Sequence, residues 1–141
     1  MPGNGVPEQK ALRDDIRYLA DEGIRYLVSL EHPSGHEKKA CEDTGLQWSC
    51  FPVPDFNVPE DEDAFRYLVR NVTDAIDRGL PVCVHCRAGI GRTGMALSCI
   101  VGEYLHLPAG KAVASVRRQR SAIETDEQME FITLFLRHYE T

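Results

Sequence analysis

VCVHCRAGIGRTGMALSC, residues 82–99, decides how the chain is built and what chemistry it can carry. Val82, Cys83 and Val84 form an apolar run of strand length, a glycine-rich turn follows, and an apolar stretch of helix length comes next. A junction of this kind cradles phosphate, because loop N–H groups and the positive end of the helix point at the same anion. Three chemistries use such a junction: binding of a dinucleotide, binding of a nucleoside triphosphate, and attack on a phosphate ester by Cys86.

GIGRTG (89–94) matches G-x-G-x-x-G between a strand and a helix. A dinucleotide site also needs a second strand about 20 residues on, ending in Asp or Glu for the ribose hydroxyls. LPAGKAVASVRR and further helical sequence stand there instead. The triphosphate loop G-x-x-x-x-G-K-[ST] fails because Met95 occupies the lysine position after Gly94.

The third chemistry uses every residue of the turn. Cys86 and Arg92 are separated by five residues, and His85 precedes the cysteine. The segment Arg87, Ala88, Gly89, Ile90, Gly91 and Arg92 can curl so that successive backbone N–H groups face inward. Gly89 and Gly91 permit the backbone angles that the curl demands. A thiolate at Cys86 is stabilised by the same amides and helix dipole. Arg92 offers a planar fork for two phosphate oxygens. The plain alternative, an ordinary strand–turn–helix with a buried cysteine, leaves the arginine, Thr93 and both inner glycines without a purpose.

His85-Cys86-Arg87-Ala88-Gly89-Ile90-Gly91-Arg92-Thr93 resembles the signature H-C-x-x-G-x-x-R-[ST] of the cysteine-dependent protein tyrosine phosphatase superfamily. The resemblance runs from about residue 7 to 139 and is greatest to the small atypical dual-specificity phosphatases, through IRYLVSL (24–30), VPDF (53–56) and SAIETDEQ (121–128). It implies a metal-independent phosphomonoester hydrolase working through a phosphocysteine, with no cofactor. A departing alkoxide or phenoxide needs a proton. The family supplies it from an aspartate on a loop, and Asp55, about 30 residues before Cys86, holds that place. Gln128 matches the family's water-positioning glutamine, although Thr125-x-x-Gln128 also reads as a helix capping box. By the same resemblance Thr93 hydrogen-bonds the thiolate. His85 orders the loop, and Glu124 forms a structural salt bridge with Arg92 or with RRQR (117–120).

Outward from this junction the chain alternates helices and strands. Leu12, Ile16, Leu19 and Ala20 share one helical face within 7–22, and Gly23 is placed to end that helix. IRYLVSL and LQWSCF (46–51) alternate as strands, and HPSGHEKKACEDTG (32–45) is polar with room for a short helix. FPVPDFNVP (51–59), with three prolines, is a loop. Phe65, Leu68, Val69, Val72, Ala75 and Ile76 mark a helix over 60–78, with the acidic run PEDED (59–63) at its positive end. PVCVH (81–85) reads as a central parallel strand, 92–107 as a buried helix stopped by Pro108, and 109–119 and 126–139 as two more helices. The pattern predicts one α/β domain over 1–141, with a mostly parallel sheet of about four strands flanked by helices. Related domains carry a strand before the first helix, and here the chain starts almost at that helix.

Composition agrees with a globular chain: 141 residues, 43% hydrophobic and 27% charged. No run reaches transmembrane length and MPGNGVPEQK has no apolar signal core, so a cytoplasmic location away from membranes is expected. A net charge of -6 argues against nucleic acid as the main partner. The expected partner is a phosphorylated protein bearing phosphotyrosine, with phosphoserine or phosphothreonine admitted by a shallower pocket. Other readings stay open: phosphoinositide or RNA 5′-phosphate as substrate, and a module that binds phosphoproteins without turnover. Five cysteines without dense spacing suggest reduced thiols. Cys83 and Cys86 form C-x-x-C, but a zinc site lacks a second ligand pair. Three residues of strand span about 10 Å, too far for a disulfide between them. Cys41 or Cys50 is a further partner for an oxidised Cys86.

Overall fold

Three short strands, β1 (Tyr26–Ser29), β2 (Gln47–Cys50) and β3 (Val82–His85), form a parallel sheet in the order β2-β1-β3. The register sets Leu27 beside Trp48 and Cys83, and Val28 beside Ser49 and Val84. The computed structural model describes residues 5–54, 57–86, 91–120, 122–123 and 125–140. Among the described residues six helices surround the sheet: α1 (Gly5–Asp21), α2 (Glu37–Thr44), α3 (Glu62–Asp77), α4 (Gly91–Leu105), α5 (Ala109–Arg117) and α6 (Asp126–Phe135), with a 3-10 turn at Arg137–Tyr139.

Because side chains alternate along a strand, the sheet builds two cores. Tyr26, Val28, Val82 and Val84 join Phe65 and Val69 of α3, Met95 and Cys99 of α4, and Ile132 and Phe135 of α6. Leu27, Trp48 and Cys83 join Ile16 of α1 and Ala40 and Cys41 of α2 on the other face. Every residue of β1 is buried, since helices cover both faces. The predicted α/β layering holds, with three strands among the described residues where about four were expected. β1, and not β3, is the central strand. The apolar run of β3 comes from cover on both faces, which an end strand shares.

Phe65 anchors the larger core, meeting Phe51, Phe131 and Phe135 edge-on at centroid distances of 5.5–5.7 Å. Such contacts add about 1 kcal/mol each beyond area burial. Asp61 caps α3 by accepting from the Ala64 amide at 3.1 Å, so the acidic run is a helix start. α4 stops at Leu105, two residues before the predicted end. His106 turns left-handed at φ 57 and the Leu107 amide returns to the Gly102 carbonyl at 2.9 Å. Pro108 therefore does not stop α4; it is the N-cap residue of α5. The last predicted helix ends at Phe135 and continues as the 3-10 turn, where Tyr139 donates to Glu103 at 2.8 Å.

Candidate active site

Parallel α/β sheets bind ligands beyond the carboxyl ends of their strands. Here those ends are Ser29, Cys50 and His85, and Cys86 follows at once. The Leu30 amide donates to the His85 carbonyl at 2.9 Å, so β1 holds β3 up to the residue before the sulfur. Helix α4 begins at Gly91, which puts Arg92 and Thr93 in its first turn. Thr93 Oγ1 donates to Cys86 Sγ at 2.9 Å. Cys86, Arg92 and Thr93 are all buried.

Two other segments converge on this point. The proline-rich stretch leaves β2 with the Phe51 amide on the Ser29 carbonyl (2.8 Å) and the Val53 amide on the Leu30 carbonyl (2.9 Å). Arg92 Nη1 then donates to the Val53 carbonyl at 3.0 Å. On the other side, the segment before α6 packs against α4 at Gly94. A Cβ on Gly94 would lie 2.6 Å from the Ala122 Cβ, so only glycine allows this approach. Ile123 adopts φ 69, a left-handed conformation that a β-branched residue holds only under constraint. Thr125 caps α6 in a complete capping box with Gln128. Gln128, fully buried, also donates from Nε2 to the Asn57 carbonyl at 3.3 Å.

His85 points to the opposite face of the sheet from the buried sulfur. Its Nε2 lies 2.6 Å from Ser29 Oγ, which also accepts from Trp48 Nε1 at 2.9 Å. Its Nδ1 lies 3.7 Å from a Glu31 oxygen. Burial lowers the His85 pKa from its ordinary 6.5, with Glu31 and Glu37 opposing in part, so the neutral ring is favoured. Among the described residues, then, His85 braces β3 to β1, and through Ser29 and Trp48 to β2.

The polar stretch after β1 contains a buried carboxylate that the sequence reading missed. Glu37 receives the backbone amides of Ser34, Gly35 and His36 at 3.0–3.2 Å and the Ser34 hydroxyl at 2.9 Å. Burial alone would raise its pKa; these hydrogen bonds outweigh it and lower the value. The only sequence signal was Ser34 three residues ahead of Glu37, a capping-box spacing. Asp55, Arg87, Ala88, Gly89, Ile90 and Glu124 lie outside the described residues.

The five cysteines form no disulfide with one another. Cys83 and Cys41 belong to the core on the α1–α2 face, while Cys86 belongs to the larger core. Burial, with Glu37 adding to it, raises Cys41 to about 11, and burial also raises Cys83 and Cys99. Cys50 donates to the Glu31 carbonyl at 3.3 Å.

A family model described as "Tc-R-P: Polymorphic toxin system, DSP-PTPase phosphatase" matches residues 2–103. The chain belongs to this family, within the cysteine-based protein tyrosine phosphatase superfamily. Over 121 residues it is 26% identical to dual specificity protein phosphatase CDC14C of Homo sapiens, covering 84% of this chain and 26% of that protein. The protein of the same name from Symphalangus syndactylus is 34% identical over 121 residues, 84% of this chain and 24% of the relative. The chain thus spans about a quarter of the length of these curated relatives. The crystal structure of Tk-PTP in the active form superposes with a TM-score of 0.80 at 25% identity, covering 89% of this chain and 86% of the other. Kinase associated phosphatase, with its catalytic cysteine replaced by serine, shares the fold at a TM-score of 0.78 and 18% identity, covering 90% of this chain and 76% of the other. No described helix is long and apolar enough to cross a membrane.

Proposed function

We propose that the protein is a metal-independent phosphatase of phosphotyrosine and related phosphoproteins, acting through a phosphocysteine at Cys86. The observation that carries this reading is the hydrogen bond from Thr93 to Cys86 Sγ beside the buried Arg92. A core cysteine of purely structural use needs neither partner.

In the first step the Cys86 thiolate attacks phosphorus as the bond to the leaving oxygen breaks. Arg92 and the amides of residues 87–92 hold the phosphoryl oxygens. Asp55 gives its proton to the leaving oxygen. In the second step the Asp55 carboxylate takes a proton from water, the water oxygen attacks phosphorus, and the sulfur–phosphorus bond breaks. Phosphate leaves, and the returning thiolate keeps the hydrogen bond from Thr93. Gln128 serves the water step by orienting the attacking molecule. His85 supports the site by fixing the end of β3.

The deciding experiment is hydrolysis of an aryl phosphate by the wild type and by Cys86→Ser. Release by the wild type and none by the variant is expected. No release by either selects a phosphate-binding module. A second reading concerns setting. The family description names a polymorphic toxin system, so the phosphatase would act as an effector. Expression of the chain in a susceptible cell is then expected to arrest growth, and Cys86→Ser to relieve the arrest.

A further inference from the structure

The Gln128 side chain carries two jobs on two different atoms. Its Oε1 accepts from the Thr125 amide at 3.3 Å and its own amide donates to Thr125 Oγ1 at 3.1 Å, which completes the helix cap. A capping box accepts glutamate as readily as glutamine at this position, because only an acceptor is required. The amide nitrogen is therefore surplus to the cap. It reaches across 71 residues of sequence to the Asn57 carbonyl at 3.3 Å. The Asn57 amide in turn donates to the Pro54 carbonyl at 3.0 Å, so the two ends of the span 54–57 are tied together. Arg92 grips the same stretch at Val53. Asp55 thus lies in sequence between two anchored carbonyls, one held from α4 and one from α6.

We propose that Gln128 is a positioning residue for the acid step: through the Asn57 carbonyl, its side-chain amide holds the segment that presents Asp55 to the leaving group. This rests on the reading of Asp55 as the acid. It adds to the water-orienting role a role in the first chemical step, and the two separate kinetically. The ratio kcat/KM reports events up to formation of the phosphocysteine, whereas water attack enters kcat alone. A misplaced acid harms esters with poor leaving groups, since those need the proton most.

The test compares wild type, Asp55→Asn, Gln128→Glu and Gln128→Met on phenyl phosphate and 2,4-dinitrophenyl phosphate. Gln128→Glu keeps the cap acceptor and loses the donor; Gln128→Met keeps the volume and loses both. Expected for both Gln128 variants is a kcat/KM loss on phenyl phosphate about tenfold or more beyond that on the dinitrophenyl ester, in the same sense as Asp55→Asn. Unchanged kcat/KM with a lower kcat and accumulating phosphoenzyme overturns the proposal in favour of water orientation alone. Equal losses on both esters overturn it as well. An Asp55→Asn variant without leaving-group dependence, or an inactive wild type, removes the acid reading and this proposal with it, and is told apart because the controls fail. Amide exchange gives a check that needs no turnover. The Asn57 amide, which donates to the Pro54 carbonyl, is expected to exchange faster in Gln128→Met than in the wild type, and equal exchange overturns the clamp.

Discussion

A sulfur that must be both nucleophile and leaving group is served best by a donor that strengthens its hydrogen bond as charge returns to sulfur. Under the proposed mechanism Thr93 is that donor; its hydroxyl donates to Cys86 Sγ at 2.9 Å in a buried setting. A hydrogen bond to a charged partner contributes about 1.5–3 kcal/mol. Thr93→Val keeps the shape and removes the hydroxyl. The expected result is a kcat reduced about ten- to a hundredfold, with a smaller change in kcat/KM and a burst of leaving group as phosphocysteine accumulates. Stopped-flow release of nitrophenol measures both. The contact between Thr93 and Cys86 was legible in the sequence, because the two residues are seven apart across one strand-to-helix junction. The carbonyl partners of Arg92 and Gln128 were not, because they lie 39 and 71 residues away and depend on how separate segments pack. Nor could composition show that Glu37 is buried, since its partners are backbone amides that every residue possesses.

At the scale of elements, periodicity located structure wherever one face was wet. The stripe on α3 is buried at Phe65, Leu68, Val69, Val72 and Ala75, as a 3.6-residue repeat requires. β1 looked one-sided in its alternation yet is buried on both sides, because α1 and α2 cover the face that Leu27 occupies. Ends were harder to read. α4 stops where His106 turns left-handed, a choice set by the return of Leu107 to Gly102 rather than by Pro108. The contact between α4 and the segment before α6 was also invisible, although Gly94 belongs to the glycine-rich motif 89–94. Gly94→Ala would place a methyl group 2.6 Å from the Ala122 Cβ and 2.8 Å from its Cα. Relief needs the backbone at 122–123 to move, with Thr125 in tow. The expected cost is about 1–3 kcal/mol of stability, read as a lower urea midpoint. Activity is expected to fall further than the folded fraction does, because the displaced segment carries Gln128.

Across the whole molecule, two titratable groups on the α1–α2 side of the sheet, half-buried His85 and buried Glu37, make stability depend on pH with a definite sign. His85, with its pKa lowered from 6.5 chiefly by burial, resists a proton that the unfolded chain accepts. Stability is therefore complete above about pH 6.5 and declines as pH falls toward the lower folded value. Glu37, with its pKa lowered from 4.5 by hydrogen bonds that outweigh burial, adds a second decline that begins below about pH 4.5. The order of the two windows follows from the unfolded values, and each can be removed separately. Trp48 is the single tryptophan and its Nε1 donates to Ser29, the residue beside His85, so its emission reports the unfolding of this region. Urea midpoints measured by Trp48 emission from pH 8 to pH 4 are expected to fall below pH 6.5 in the wild type. In His85→Asn the curve is expected to stay flat until the lower window, because asparagine can still bond Ser29 but takes up no proton. Glu37→Gln is expected to start less stable at pH 7 and to lose the decline below pH 4.5. An unchanged slope between pH 6.5 and 5 in His85→Asn would assign that window to another group.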